Sequence, residues 1–64
     1  MPMHTIYWIS EDKTQYHLCR TFKIEEEANN NIPLEKRELL RTATSDETRR
    51  MIEAGSFVVC EEGE

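Results

Sequence analysis

The sequence predicts a small α+β fold: a three-stranded sheet in the order β-β-α-α-β with helices on one face. Three observations predict it. Two β-rich runs near the start are separated by a short polar stretch. A middle segment is built from strong helix formers. A last short apolar run follows Gly55. At 64 residues the chain fits one domain, residues 1–64, and a chain this short has a thin core.

Residues 3–9, Met-His-Thr-Ile-Tyr-Trp-Ile, are β-branched and aromatic and read as a strand. Ile6 and Trp8 share one face, and Thr5, Tyr7 and Ile9 the other. With apolar residues on both sides, this strand suits the middle of the sheet, or has one face against a partner. Ser10–Thr14 is polar and reads as a hairpin loop. In the second strand, Tyr16, Leu18, Phe22 and Ile24 alternate with His17, Cys19, Thr21 and Lys23, a period of two that marks a half-buried strand. Arg20 interrupts the apolar set and suits a sheet edge or an acidic partner.

Glu25–Glu27 and Asn29–Asn31 break the strand pattern, and asparagine favours turns and caps. Pro33 suits a first helical turn. Glu35–Arg41 are all good helix formers, with Leu34, Leu39, Leu40 and Ala43 as the apolar stripe. Thr44-Ser45-Asp46-Glu47 matches a capping box, with Thr44 as the cap. It divides the segment into two helices, the alternative being one helix over 33–54. The second helix runs over about 45–54 with Met51 and Ile52 inward, and Gly55 is its C-cap. Residues 56–60, Ser-Phe-Val-Val-Cys, form the last strand, and residues 61–64 are a frayed acidic tail.

Charge narrows the function. The net charge is −5, unevenly spread. Residues 1–31 carry three basic and five acidic side chains, residues 32–54 five of each, and residues 55–64 three acids and no base. That balance disfavours DNA, RNA and anionic membrane as direct partners and favours a basic protein partner or simply solubility. No apolar run approaches the roughly 18 residues that span a bilayer. Met1-Pro2-Met3-His4 lacks the pattern of a signal peptide, so a cytoplasmic location is expected. In that setting Cys19 and Cys60 are expected as reduced, partly buried thiols, the alternative being one disulfide.

Sharper chemistry finds little support. His4, His17, Cys19 and Cys60 are possible metal ligands but lack zinc-site spacing, so no metal and no cofactor is expected. A Cys19–His17 or Cys19–His4 dyad would need an activated thiolate and an oxyanion hole, and nothing marks either. The two glycines make no phosphate loop. No catalytic residue is assigned, and the protein is expected not to be an enzyme.

The acids offer the better lead. Glu11 and Asp12 fall at the hairpin tip. Glu25, Glu26 and Glu27 leave the second strand, and Glu61, Glu62 and Glu64 leave the third. If those two strands are parallel, the last two groups emerge at one end of the sheet as an acidic rim. Such carboxylates can occupy the sites on a basic protein that DNA phosphates would fill. The expected partner-binding residues are therefore Glu11, Asp12, Glu25, Glu26, Glu27, Glu61 and Glu62. Tyr7 and Ile9 mark an apolar face suited to a homodimer contact or another protein, and Tyr7 and Trp8 are candidate aromatic anchors, Trp8 being the better core residue. Two alternatives stand beside this reading. One is a protein–protein adaptor using the apolar face or a strand edge. The other is a nucleic-acid-binding regulator using Arg37, Arg41, Arg49 and Arg50.

In its size, acidity, ββααβ pattern and want of a catalytic motif, the chain resembles small phage-encoded host-takeover proteins. Some of these are DNA mimics, including an inhibitor of the histone-like HU protein. The resemblance implies an inhibitor acting in the host cytoplasm by occluding one host protein.

Overall fold

The strand Met3–Ile9 (β1) is apolar on both faces, and it takes the middle of the sheet. It lies between Tyr16–Phe22 (β2) and Ser56–Glu62 (β3), in the order β2-β1-β3. Both neighbours pair with it antiparallel, so β2 and β3 run parallel to each other. This computed structural model describes residues 2–63. Three helices lie between β2 and β3: Glu25–Asn30 (α1), Ile32–Arg41 (α2) and Asp46–Ala54 (α3). The α+β class and small three-stranded sheet are as the sequence predicts, with one helix more than expected.

The extra helix is α1, in the stretch read as a break. Its first turn holds Glu25, Glu26 and Glu27, which complement the partial positive charge of a helix N-terminus. The asparagines support it from the other end. Asn29 donates a side-chain N–H to the Glu25 carbonyl at 3.2 Å and Asn31 to the Glu27 carbonyl at 2.8 Å. Asn31 keeps a right-handed backbone and passes directly into α2. Ala28, fully buried, is small enough to let α1 lie close on the sheet, where it touches all three strands.

The second strand departs from its period-two reading. Ile6 faces Arg20 while Tyr7 faces Leu18, so Cys19 is an extra, unpaired residue: a β-bulge. One added residue flips the alternation. Tyr16 and Leu18 therefore lie on the face away from the helices, and Phe22 on the helix side. The strand ends at Phe22, and Ile24 becomes the exposed residue preceding α1. Arg20 stands on the helix side of this edge strand. Its guanidinium lies 5.5 Å from the Phe22 ring centroid and 3.9 Å from the Glu35 carboxylate.

The helical segment breaks into two, but the cap is Ser45, not Thr44. Ser45 has the extended backbone a cap needs, and its hydroxyl accepts from the Thr48 amide at 3.1 Å. The α2 stripe is also rotated from expectation. Ile32, Glu35, Lys36, Leu39 and Leu40 are the half-buried positions, while Leu34 is exposed. On α3, Ile52 is buried as expected and Met51 is partly exposed.

The core lies between β1 and the helices. Ile6, Trp8, Ala28 and Ile52 are its buried apolar residues. Burying Ile6 and Ile52 stabilises the fold by roughly 1.5–3 kcal/mol each. The Trp8 indole N–H donates to the Ile52 carbonyl at 3.0 Å, tying β1 to the last turn of α3. Gly55 ends α3, with φ −80° and ψ −172°. That backbone suits any residue, so glycine is required here by space. A Cβ would lie 2.5 Å from the Ile9 carbonyl oxygen and 2.7 Å from Trp8 Cε2.

The third strand runs on through Glu61 and Glu62, which pair with His4 and Met3. The expectation of a frayed tail from residue 61 is corrected there, because the Glu62 carboxylate is anchored on β1. Glu64 lies outside the described residues. Cys19 and Cys60 are both free. Cys19 is on the helix side of one edge strand and Cys60 on the open face of the other. The distance across two strand spacings, about 9.6 Å, keeps them apart. Cys19 is half-buried and Cys60 exposed, rather than both partly buried.

Candidate docking site

Parallel β2 and β3 decide where the acids go. Both strands end where β1 begins. Glu25, Glu26 and Glu27 in the first turn of α1 therefore leave the sheet at the same end as Glu61 and Glu62. All five residues are exposed. The ion pairs among the described residues are Arg20–Glu35 and Arg41–Glu38, so no basic side chain neutralises this end by direct pairing. The sequence reading anticipated this convergence, on the condition of parallel strands.

Glu62 differs from the others. Its carboxylate accepts from the Tyr7 hydroxyl at 2.6 Å and the Thr5 hydroxyl at 3.3 Å. Thr5 is fully buried, and its oxygen also lies 3.0 Å from that of Thr21. Glu62 thus closes the end of the sheet as much as it offers charge. The bond to Glu62, which would repel a phenolate, is the main cause that pushes the Tyr7 pKa up to about 12.

The hairpin acids stand apart. Glu11 and Asp12 are at the opposite end of the sheet from Glu25–Glu27, so the seven expected residues do not form one surface. Asp12 also has local work. Its carboxylate accepts from the hydroxyls of Ser10 and Thr14, each at 2.8 Å, and from the Thr14 amide at 3.1 Å. These bonds, Thr14 first, hold its pKa below the usual carboxylate value. Ser10 is buried and accepts from the amides of Thr14 and Gln15, closing the turn. Lys13 takes a left-handed backbone, φ 63°, at the tip.

Other candidate chemistry is weaker. His17, Cys19, Glu35 and Glu38 line a shallow cleft between β2 and α2. No three metal-binding side chains among the described residues come together to hold an ion. Burial, then the nearby Glu35 carboxylate, raise the Cys19 pKa, and a thiol kept protonated is a poor nucleophile. On α2, Arg41 lies 3.4 Å from Glu38, a pair typical of a solvated helix face. No helix among the described residues is long and apolar enough to cross a membrane.

Sequence reasoning missed one feature of this end. The acids of 25–27 sit on a helix fixed across the sheet, not on a loop. The Asn29 and Asn31 spacing, four residues after Glu25 and Glu27, is the signal that could have found it. Trp8, offered as an anchor, is buried, whereas Tyr7 and Ile9 face out from the sheet opposite the helices. No known protein family, curated protein or solved structure matches the chain.

Proposed function

We propose that the protein works by binding and not by catalysis. It is an inhibitor that docks its acidic end on a basic, DNA-binding host protein in the cytoplasm and excludes nucleic acid by competition. The observation that carries this reading is the convergence of Glu25, Glu26, Glu27 and Glu61 at one end of the sheet, exposed and without basic partners among the described residues. A helix and a paired strand hold them, so little ordering is needed when a partner arrives.

The test is capture from a nuclease-treated bacterial lysate on the immobilised protein, with elution by a salt gradient. A captured basic protein should elute as salt rises, be displaced by duplex DNA, and be lost when Glu25, Glu26 and Glu27 are all changed to lysine. Capture that ignores both salt and that triple change would sink the proposal.

A further inference from the structure

The sheet face opposite the helices carries an apolar surface uncovered by any described element. Tyr7, Ile9, Tyr16, Leu18, Val58 and Cys60 all belong to it by register. Tyr16 is 76% exposed and Leu18 51%, whereas among the described residues the helix side buries Ile6, Trp8, Ala28 and Ile52. The bulge at Cys19 creates this surface, because it turns Tyr16 and Leu18 away from the helices.

We propose that a second copy of this chain covers this face, the two sheets stacking about a twofold axis with their strands antiparallel. Three features favour a second copy. First, the size is adequate. Three strands about 4.8 Å apart, each seven residues rising about 3.3 Å apiece, give a footprint of roughly 14 by 23 Å. Two such footprints project to roughly 640 Å², and the accessible surface of their protruding side chains brings the area removed toward about 1,000 Å², the lower limit for a specific interface.

Second, the ends of the face carry opposite charge. Lys13 lines it beside Tyr16 at the hairpin end, and Glu62 closes it at the other. Glu11 and Asp12 turn instead toward Met51 and Ala54 on the helix side. Antiparallel stacking brings the Lys13 end of each sheet over the Glu62 end of its partner, twice by symmetry. Parallel stacking would bring like over like. Third, the composition is that of an interface. Tyr7 and Tyr16 meet edge to face with ring centroids 6.0 Å apart, aliphatic groups surround them, and charge is confined to the rim.

The assembly would point its two acidic ends in opposite directions. It does not depend on their function, so the triple Glu25, Glu26 and Glu27 lysine variant should remain dimeric. The experiment is sedimentation velocity on the whole chain over a wide concentration range, with folding followed by Trp8 fluorescence. The wild type should sediment as a dimer at high concentration. Leu18→Lys should raise the dissociation constant at least about tenfold, and Tyr16→Ala, at the most exposed position, provides the same test should the lysine disturb folding. Lys13→Glu should weaken the dimer. A monomer at every concentration overturns the proposal, even if a different protein is later found on this face. A dimer indifferent to Leu18→Lys and Tyr16→Ala also overturns it, since that result places the contact at a strand edge.

Discussion

Replacing Gly55 with alanine tests how closely α3 closes on the sheet. The added methyl would meet the Trp8 indole at Nε1 and lie 2.5 Å from the Ile9 carbonyl oxygen, which is backbone and cannot swing aside. Overpacking of this kind costs about 1–3 kcal/mol. If the indole moves, its bond to the Ile52 carbonyl is strained or lost, and a buried polar group left unpaired costs about 1–3 kcal/mol more. Alanine restricts the unfolded chain and returns about 0.4–1 kcal/mol. The net loss is about 1–5.5 kcal/mol, against a total of roughly 3–10 kcal/mol for a chain of this length. Urea denaturation followed by Trp8 fluorescence measures it. Asparagine at 55 should do no better than alanine, because the obstacle is the Cβ and not a left-handed backbone. Gly63→Ala, with nothing within 4 Å of its Cβ, is the neutral control. A loss below about 0.5 kcal/mol for Gly55→Ala, or a clear rescue by asparagine, would refute the reasoning.

Ser45→Ala should cost about 1 kcal/mol in the same assay, while Thr44→Ala stays near neutral. The reverse order would restore the capping box read from the sequence. Tyr7 should form its phenolate only near pH 12, seen as tyrosinate absorbance, and Glu62→Ala should return it toward 10. Because its folded pKa is raised, the Tyr7 contribution to stability is complete below pH 10 and fades as pH rises toward 12. Asp12 runs the other way. Its pKa is lowered by the turn, so its contribution is present above 3.8 and is lost as pH falls through the lower folded value. Asp12→Asn should remove that acid sensitivity from the denaturation profile.

Much of the fold was legible because local pattern and tertiary need agreed. The two-sided apolar run at 3–9 suited a central strand, which is where it lies, and Ile52 is buried on α3 as its position suggested. Two of the failures turn on a single residue. The bulge at Cys19 adds one position and reverses two side chains, yet no composition signal marks it. Ser45 captures α3 one residue later than the Thr44 motif suggested. The three asparagines read as a turn because their cap-forming side chains act equally well on helix carbonyls, as those of Asn29 and Asn31 do. For the docking site, the sequence supplied the acids and the condition, while strand order supplied the convergence. The split between the hairpin acids and the rest followed from topology and was not visible in charge counts.

The central claim is that carboxylates fixed at one end of the sheet bind a basic partner. Its most direct measurement is the affinity for the captured protein as a function of salt, for the wild type and for the chain with Glu25, Glu26 and Glu27 changed to lysine. Each reversal of a rim charge should cost about 1 kcal/mol, so the triple change should weaken binding about a hundredfold at low salt. The wild type should lose affinity steeply as salt rises, and the variant should show a flatter slope. Equal affinities with a flat salt dependence in both would contradict the account.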